Sequence, residues 1–153
     1  MIKLLDHKNK SIADSILGIQ IPAYRKEADI IHYHDIPELH ETVSSIVSSK
    51  ETFIGCYRED HLAGVLSYEL DIDVIRICRL VVHPDYFRKG IGRELLEDLV
   101  LQNKRKQIEV STGAENHPAV EMYKRFDFQA VSRSEPVKGV FLIHLKRGPA
   151  VRN

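Results

Sequence analysis

Apolar residues recur along the chain in two rhythms, one near 3.6 residues and one near 2. The stretch "IKLL" at Ile2–Leu5 predicts a short strand. Ile12, Ile16, Leu17 and Ile19 follow at helical spacing and predict a helix. Pro22 is expected to interrupt or kink it, because proline lacks a backbone N–H. "AYRKEADII" resumes the pattern from Ala23. Pro37 suits a first turn and predicts the opening of a second helix, with Leu39, Val43, Ile46 and Val47 as its apolar stripe. Three strand-like stretches come next: "TFIGCYR" from Thr52, "LAGVLSYEL" from Leu62 and "DVIRICRLVV" from Asp73. The turn signals "REDH" and "DID" between them predict an antiparallel meander. A helix from about 90 to 103 and the strand "QIEVST" from Gln107 follow. Asn116 is a good cap for a further helix, with Pro118 in its first turn and Ala119, Val120, Tyr123 and Phe126 on one face. "FQAVSRS" and "GVFLIHL" predict a closing hairpin around residues 136–139, and the tail "HLKRGPAVRN" reads as a frayed terminus.

The order β, α, α, β, β, β, α, β, α, β, β predicts an α+β protein, a mixed sheet with helices on its faces. It departs from the strict alternation of a doubly wound fold. The 153 residues predict one domain over 1–153. Lys+Arg and Asp+Glu each number 22, a balance that disfavours a nucleic-acid coat or a polybasic membrane anchor. No apolar run approaches the ~20 residues a membrane span needs. "MIKLLDHKNK" carries no signal-peptide apolar region. Cys56 and Cys78, without a CxxC, read as reduced thiols. These features lead us to expect a cytoplasmic protein with neither nucleic-acid nor membrane partners.

The chemistry concentrates in "HPDYFRKGIGREL", residues 83–95, between an apolar strand and a helix. Glycine lets backbone N–H groups approach a ligand, and a helix start adds orphan donors and partial positive charge. With Arg88, Lys89 and Arg93 alongside, the loop suits a phosphate. It is not a P-loop, because Arg93 and Glu94 follow Gly92, nor a dinucleotide fingerprint, because Leu95 stands where the third glycine would be. The bland alternative is a plain strand-to-helix turn.

At these residues the chain resembles a known family. "LVVHPDYFRKGIGRELL" is similar to motif A of the GNAT acetyltransferase superfamily, [QR]xxGx[GA] after a hydrophobic strand. "VSTGAENHPAVEMYKRFDF" resembles the superfamily's later segment, an Asn followed by Ala, Tyr and a closing Gly-Phe. The two segments span 80–128, about a third of the chain. Phe87 replaces the usual Gln or Arg, which removes one polar contact but no backbone donor. Asp127 replaces the usual Gly, and Asp tolerates left-handed geometry better than most residues.

The resemblance implies a GNAT-like fold. Its central sheet would have about six to seven mostly antiparallel strands, splayed between the fourth and fifth and flanked by about four helices. It implies acetyl-coenzyme A as donor, no metal, and an amine-bearing acceptor, small molecule or protein. The pyrophosphate would lie on the amides of Arg88, Lys89, Gly90, Ile91, Gly92 and Arg93. Pantetheine would run beside Leu80, Val81 and Val82, near Asn116. A backbone N–H in that strand would polarise the thioester. Tyr123 would be the general acid for the departing thiolate; its bland alternative is a core aromatic.

The sequence names no base: Glu27, Glu38, Glu41, Glu69 and Cys78 all stay open. Tyr24, Glu27, His40, Glu41 and Tyr68 are expected to line the acceptor side. His32, His34 and His40 with Asp35 offer possible metal ligands, but fit a polar interhelical loop equally well, and no metal is expected. "NKRK" at 103–106 reads as positive charge at a helix C-terminus. A homodimer stays open. The competing readings are a non-catalytic coenzyme A sensor of the same fold and a nucleic-acid binder using the basic loop.

Overall fold

Strand alternation sorts the core before any helix is placed. Adjacent residues Phe53 and Ile54, and likewise Val65 and Leu66, are buried in different clusters on opposite faces of one sheet. The computed structural model describes residues 1–148. Its strands are β1 (Ile2–Leu5), β2 (Thr52–Arg58), β3 (His61–Asp71), β4 (Val74–Val82), β5 (Gln107–Gly113), β6 (Gln129–Val137) and β7 (Val140–Arg147). They form one seven-stranded sheet in the order β1-β2-β3-β4-β5-β7-β6. Every pairing is antiparallel except β4 with β5, which is parallel. This is the expected mixed α+β sheet, with the meander and the final hairpin in place.

The helices are α1 (Lys10–Ile31), α2 (Val43–Ser48), α3 (Ile91–Gln102) and α4 (His117–Arg125). On one face, Ile16, Ile19 and Ala28 of α1 and Ile46 of α2 pack with Phe53, Val65 and Val81. On the other, Ile91, Leu95, Leu96 and Leu99 of α3 and Tyr123 of α4 pack with Ile54, Leu66, Ile75 and Ile108. Gly64 sets the approach of α3: a Cβ there would lie 2.6 Å from Ile91 Cγ2. Only glycine lets the start of α3 sit that close to the sheet.

Three sequence expectations need correction. Pro22 does not interrupt α1, which runs continuously from Lys10 to Ile31. Burial of Ile19, Gln20, Ala23 and Tyr24 on both sides holds the helix across Pro22. Pro37 opens a 3-10 turn, Pro37–His40, rather than the second helix. That helix has its own start, a capping box between Thr42 and Ser45, after extended Glu41. The tail is not frayed through 147, because β7 pairs with both β5 and β6 and buries Leu145; residues 149–153 lie outside the described residues. The outer strand β6 is exposed along its whole length, with register shifts at Ala130/Ser132 and Ser134/Val137 and Pro136 inside the second.

A buried polar knot ties α1 and the segment before β2 to β4. Arg79 donates from Nε and Nη2 to both Glu51 oxygens, each at 2.9 Å, and from Nη1 to Gln20 Oε1 at 2.8 Å and to Glu41. Gln20 Nε2 donates to Glu41 Oε1 at 2.7 Å, and Ser67 Oγ to Glu51 Oε1 at 2.5 Å. Burial alone would raise the Glu51 pKa, but hydrogen bonds from Arg79 and Ser67 outweigh it and leave the carboxyl below its ordinary 4.5. A carboxyl lowered in the fold stabilises above its unfolded pKa, and that stability is lost as pH falls through the folded value. Arg79→Ala, which strands two half-buried carboxylates, is expected to cost about 2–4 kcal/mol in urea unfolding. Wild-type stability should fall below about pH 4.5, and the variant should show a weaker fall.

Candidate active site

The site begins at an extra residue in β4. Ser67 pairs with Arg79 and Tyr68 with Ile77, so Cys78 has no partner in β3 and forms a β-bulge. On the other flank, β4 pairs with β5 only over 74–76 against 107–109. From Ile77 onward the two strands no longer pair. This is the splay expected between the fourth and fifth strands. His83 N–H donates to Ala63 O at 2.9 Å. Amide direction alternates along an antiparallel ladder, so the peptide groups of Leu80 and Val82 face the open side, while those of Val81 are spent on β3.

Chain geometry past β4 builds the mouth. A 3-10 turn, Pro84–Tyr86, is closed by His83 Nδ1, which accepts from Asp85 N–H at 3.1 Å. Arg88 and Gly90 then take left-handed conformations, φ 64° and 76°. Gly90 caps α3 without any side-chain hydrogen bond, leaving the first-turn amides of α3 without a side-chain partner from the cap. Arg88 and Arg93 are exposed beside them. A groove of about 820 Å³ opens here and is lined by Val82, Arg88, Gly90, Arg93, Asn116 and Arg125, among others. It reaches Leu80 and Glu27, which also border a cavity of about 60 Å³ in the splay. Tyr24, Cys78, Arg79, Ser111 and Tyr123 line that inner cavity.

Of the residues expected to hold a donor, Leu80, Val81, Val82, Arg88, Gly90, Ile91, Gly92, Arg93 and Asn116 line the groove. Lys89 does not, and its ammonium lies 5.5 Å from the centre of the Tyr86 ring. Tyr123 is buried at the inner cavity, 5.3 Å from Phe128 between ring centres. Asp127 takes the left-handed conformation, φ 67°, so the turn after α4 forms without glycine. Asn116 caps α4, accepting from Ala119 N–H at 3.4 Å, and points its amide at Glu27 Oε1, 3.5 Å away.

Burial and neighbouring Glu38 raise the Glu27 carboxyl to about 7. Burial, then the charge of Glu27, pushes the Tyr123 phenol above its ordinary range. Burial, then Glu38 and Glu27, does the same to Tyr24. Both phenols therefore keep their protons at neutral pH, beside a carboxyl poised to exchange one. The Cys78 thiol is pushed up to about 12 by burial and by Glu51 and Glu69, so it is a neutral group.

Of the other candidate bases, Glu38 lines neither hollow and acts through its charge on Glu27 and Tyr24. Glu41 is bound to Arg79. Glu69 is exposed, with Cys78 Sγ 3.7 Å from its carboxylate. His40 is exposed and bonded to Asp35 at 2.9 Å. Neither His40 nor Tyr68 lines either hollow. Among the described residues no group of three His, Cys, Asp or Glu is placed to hold a metal. No described helix is long and apolar enough to cross a membrane. Sequence reading missed Ser111, whose place on β5 becomes informative only once β4 has moved away from it.

A family model for the acetyltransferase (GNAT) domain matches residues 21–147. The chain belongs to the GNAT acetyltransferase family. It is 46% identical over 143 residues to the UPF0157 protein YqkA of Bacillus subtilis, covering 93% of this chain and 42% of that protein. The chain thus spans less than half the length of that curated relative. The fold is similar to the ribosomal-protein-S18-alanine N-acetyltransferase of Escherichia coli, with TM-score 0.77 and 18% identity, covering 100% of this chain and 97% of the other. It is also similar to an aminoglycoside 6'-N-acetyltransferase complexed with coenzyme A, with TM-score 0.74 and 16% identity, covering 100% and 99%. In this GNAT chain the glycine loop lines the groove and the buried tyrosine the inner cavity, and the two hollows adjoin at Leu80 and Glu27.

The raised Glu27 pKa has a measurable cost. A carboxyl whose folded pKa lies above its unfolded value destabilises the fold increasingly as pH rises from about 4.5 to about 7. Glu27→Gln is expected to be more stable than wild type at pH 8 and no more stable at pH 4.5, read by urea unfolding at both pH values.

Proposed function

We propose that the protein is an N-acetyltransferase that moves the acetyl group of acetyl-coenzyme A directly to a primary amine in a ternary complex. The observation that carries this reading is the adjacency of two hollows, which share Leu80 and Glu27 in their walls. Residues 88 and 90–93 line a groove that reaches Leu80 on β4 and Glu27, and these two residues also border the inner cavity that holds Tyr123. The donor set fits a diphosphate: glycine-exposed amides, a helix start, and Arg88 and Arg93. The groove is large enough for an extended ligand.

Bound acetyl-coenzyme A supplies an activated thioester carbonyl. Leu80 and Val82 offer peptide groups along the open edge of β4 for a chain laid beside it, and a N–H of this edge holds negative charge developing on the carbonyl oxygen. Tyr123 keeps a proton on its phenol oxygen for the departing sulfur. Glu27 borders the same cavity and, half ionised near neutrality, takes a proton from the attacking nitrogen. The walls of the cavity limit water at the reacting carbon. The free thiols Cys56 and Cys78 fit a reducing, cytoplasmic setting. The acceptor is an amine of a small molecule or a protein.

Thiol release from acetyl-coenzyme A across a panel of amines tests the reading. Amine-dependent release supports it; tight coenzyme A binding with no release on any amine would convert the protein into a sensor of that ligand. Gly90→Glu introduces a side chain at φ 76° and a carboxylate facing the diphosphate. It should weaken coenzyme A binding by roughly tenfold or more in calorimetry. Tyr123→Phe should lower kcat by about 100-fold while leaving coenzyme A affinity nearly unchanged; an unchanged kcat would reduce Tyr123 to a packing residue.

A further inference from the structure

The two hollows have opposite electrostatic walls. Lys26, Arg88, Arg93 and Arg125 line the groove, and none of them enters an ion pair with a described residue. At the inner end the balance reverses. Arg79, the cation of the inner cavity, is already bound by Glu41 and Glu51. Glu27 lines the cavity and Glu38 stands close enough for its charge to act on Glu27. Neither carboxylate has a cationic partner among the described residues.

Glu38 is held in place by its backbone. Gln20, Tyr24 and Glu27 fall at i, i+4 and i+7 on one face of α1. Gln20 Nε2 donates to the Glu38 carbonyl at 2.9 Å and hooks the 3-10 turn over that face. The Glu38 side chain stays half-buried, outside both hollows. Tyr24 independently points to a polar guest. Its side chain is 7% exposed, and its hydroxyl hydrogen-bonds to no described residue. That oxygen is not among the sealed, unpartnered side-chain atoms, so it opens into the inner cavity that Tyr24 lines. A buried hydroxyl without a bond is costly, and a polar ligand satisfies it. Transfer itself has no use for Glu38. The reacting nitrogen attacks as a neutral amine and ends as an amide, so a fixed carboxylate beside the cavity suits a charge that persists elsewhere on the acceptor. We propose that the acceptor is a di- or polycationic amine, with its reacting nitrogen in the inner cavity and a second, lasting ammonium held by Glu38. This rests on the acetyltransferase reading of the same site and narrows its substrate class.

The surroundings leave room for such a charge. The inner cavity reaches the protein surface at exposed Ser111, so the rest of an acceptor can extend outward. Cations on the neighbouring strands are occupied: Arg76 and Lys146 face Glu109 at 2.9 and 3.8 Å. His40, beside Glu38 on the 3-10 turn, is bonded to Asp35. Glu69 adds a further carboxylate, with the cavity-lining Cys78 Sγ 3.7 Å from it. A bound dication would also relieve the repulsion between Glu27 and Glu38.

The test uses the full chain and acceptors that share a reacting amine and differ only at the far end. These are diaminobutane, aminobutanol and aminobutyrate, and their six-carbon homologues diaminohexane, aminohexanol and aminohexanoate. Thiol release gives kcat and KM for each. At one chain length at least, wild type should favour the diamine over the aminoalcohol by roughly tenfold or more in kcat/KM, mostly through KM. The aminoalkanoates should be the poorest acceptors. Glu38→Gln, which keeps the side-chain shape, should collapse the diamine preference. Acceptors compared on one enzyme share the same Glu27, so their ratio cancels any effect of Glu38 on proton transfer. A wild-type ratio no greater than the statistical advantage of two amines over one, at both lengths, overturns the proposal. So does a preference that survives Glu38→Gln. A wild type that releases no thiol with any amine overturns the acetyltransferase reading and this inference with it. Turnover without a diamine preference overturns the acceptor class alone.

Discussion

One surplus residue in β4 governs the rest of the molecule. Cys78 has no partner in β3, and past it β4 stays paired with β3 while its ladder with β5 has already ended at Arg76. Arg79, the next residue, is held on the α1 side by Glu41, Glu51 and Gln20. Bulge and clamp together keep open a slit whose backbone groups would otherwise be spent on hydrogen bonds. The polar knot therefore stabilises an opening, and its cost in desolvated charge is offset by the number of bonds that satisfy it.

Helices on both faces then finish the slit. α1 brings Tyr24 and Glu27 to it, and α4 brings Tyr123. The same burial that makes these groups part of the core also displaces their proton affinities. Packing and acid–base character are thus one feature, since a carboxyl left in water would not sit near neutrality. Asn116 joins the two levels: its carbonyl oxygen caps α4 while its amide faces the carboxyl of Glu27.

The order of elements was legible because each has a local cause: period 2 in the meander, Asn116 as a cap, and turn residues between strands. The glycine loop was legible because left-handed backbone and a helix start leave marks in sequence, as at Gly90 and Asp127. What could not be read depended on distant partners. Pro22 signals a break, and only burial on both sides overrules it. Glu41 and Glu27 look alike as letters in polar stretches; the first meets an arginine and the second a pair of buried phenols. Ser111 looks like any strand serine until the ladder between β4 and β5 ends short of it.

The far end of the sheet carries a different lesson. β6 is an edge strand that no element covers among the described residues, yet two irregularities and Pro136 spoil its outer row of donors and acceptors. Such an edge is a poor template for a foreign strand. The hairpin can stand in water without seeding fibril-like growth, and another polypeptide meeting this domain there would have to engage side chains rather than extend the ladder.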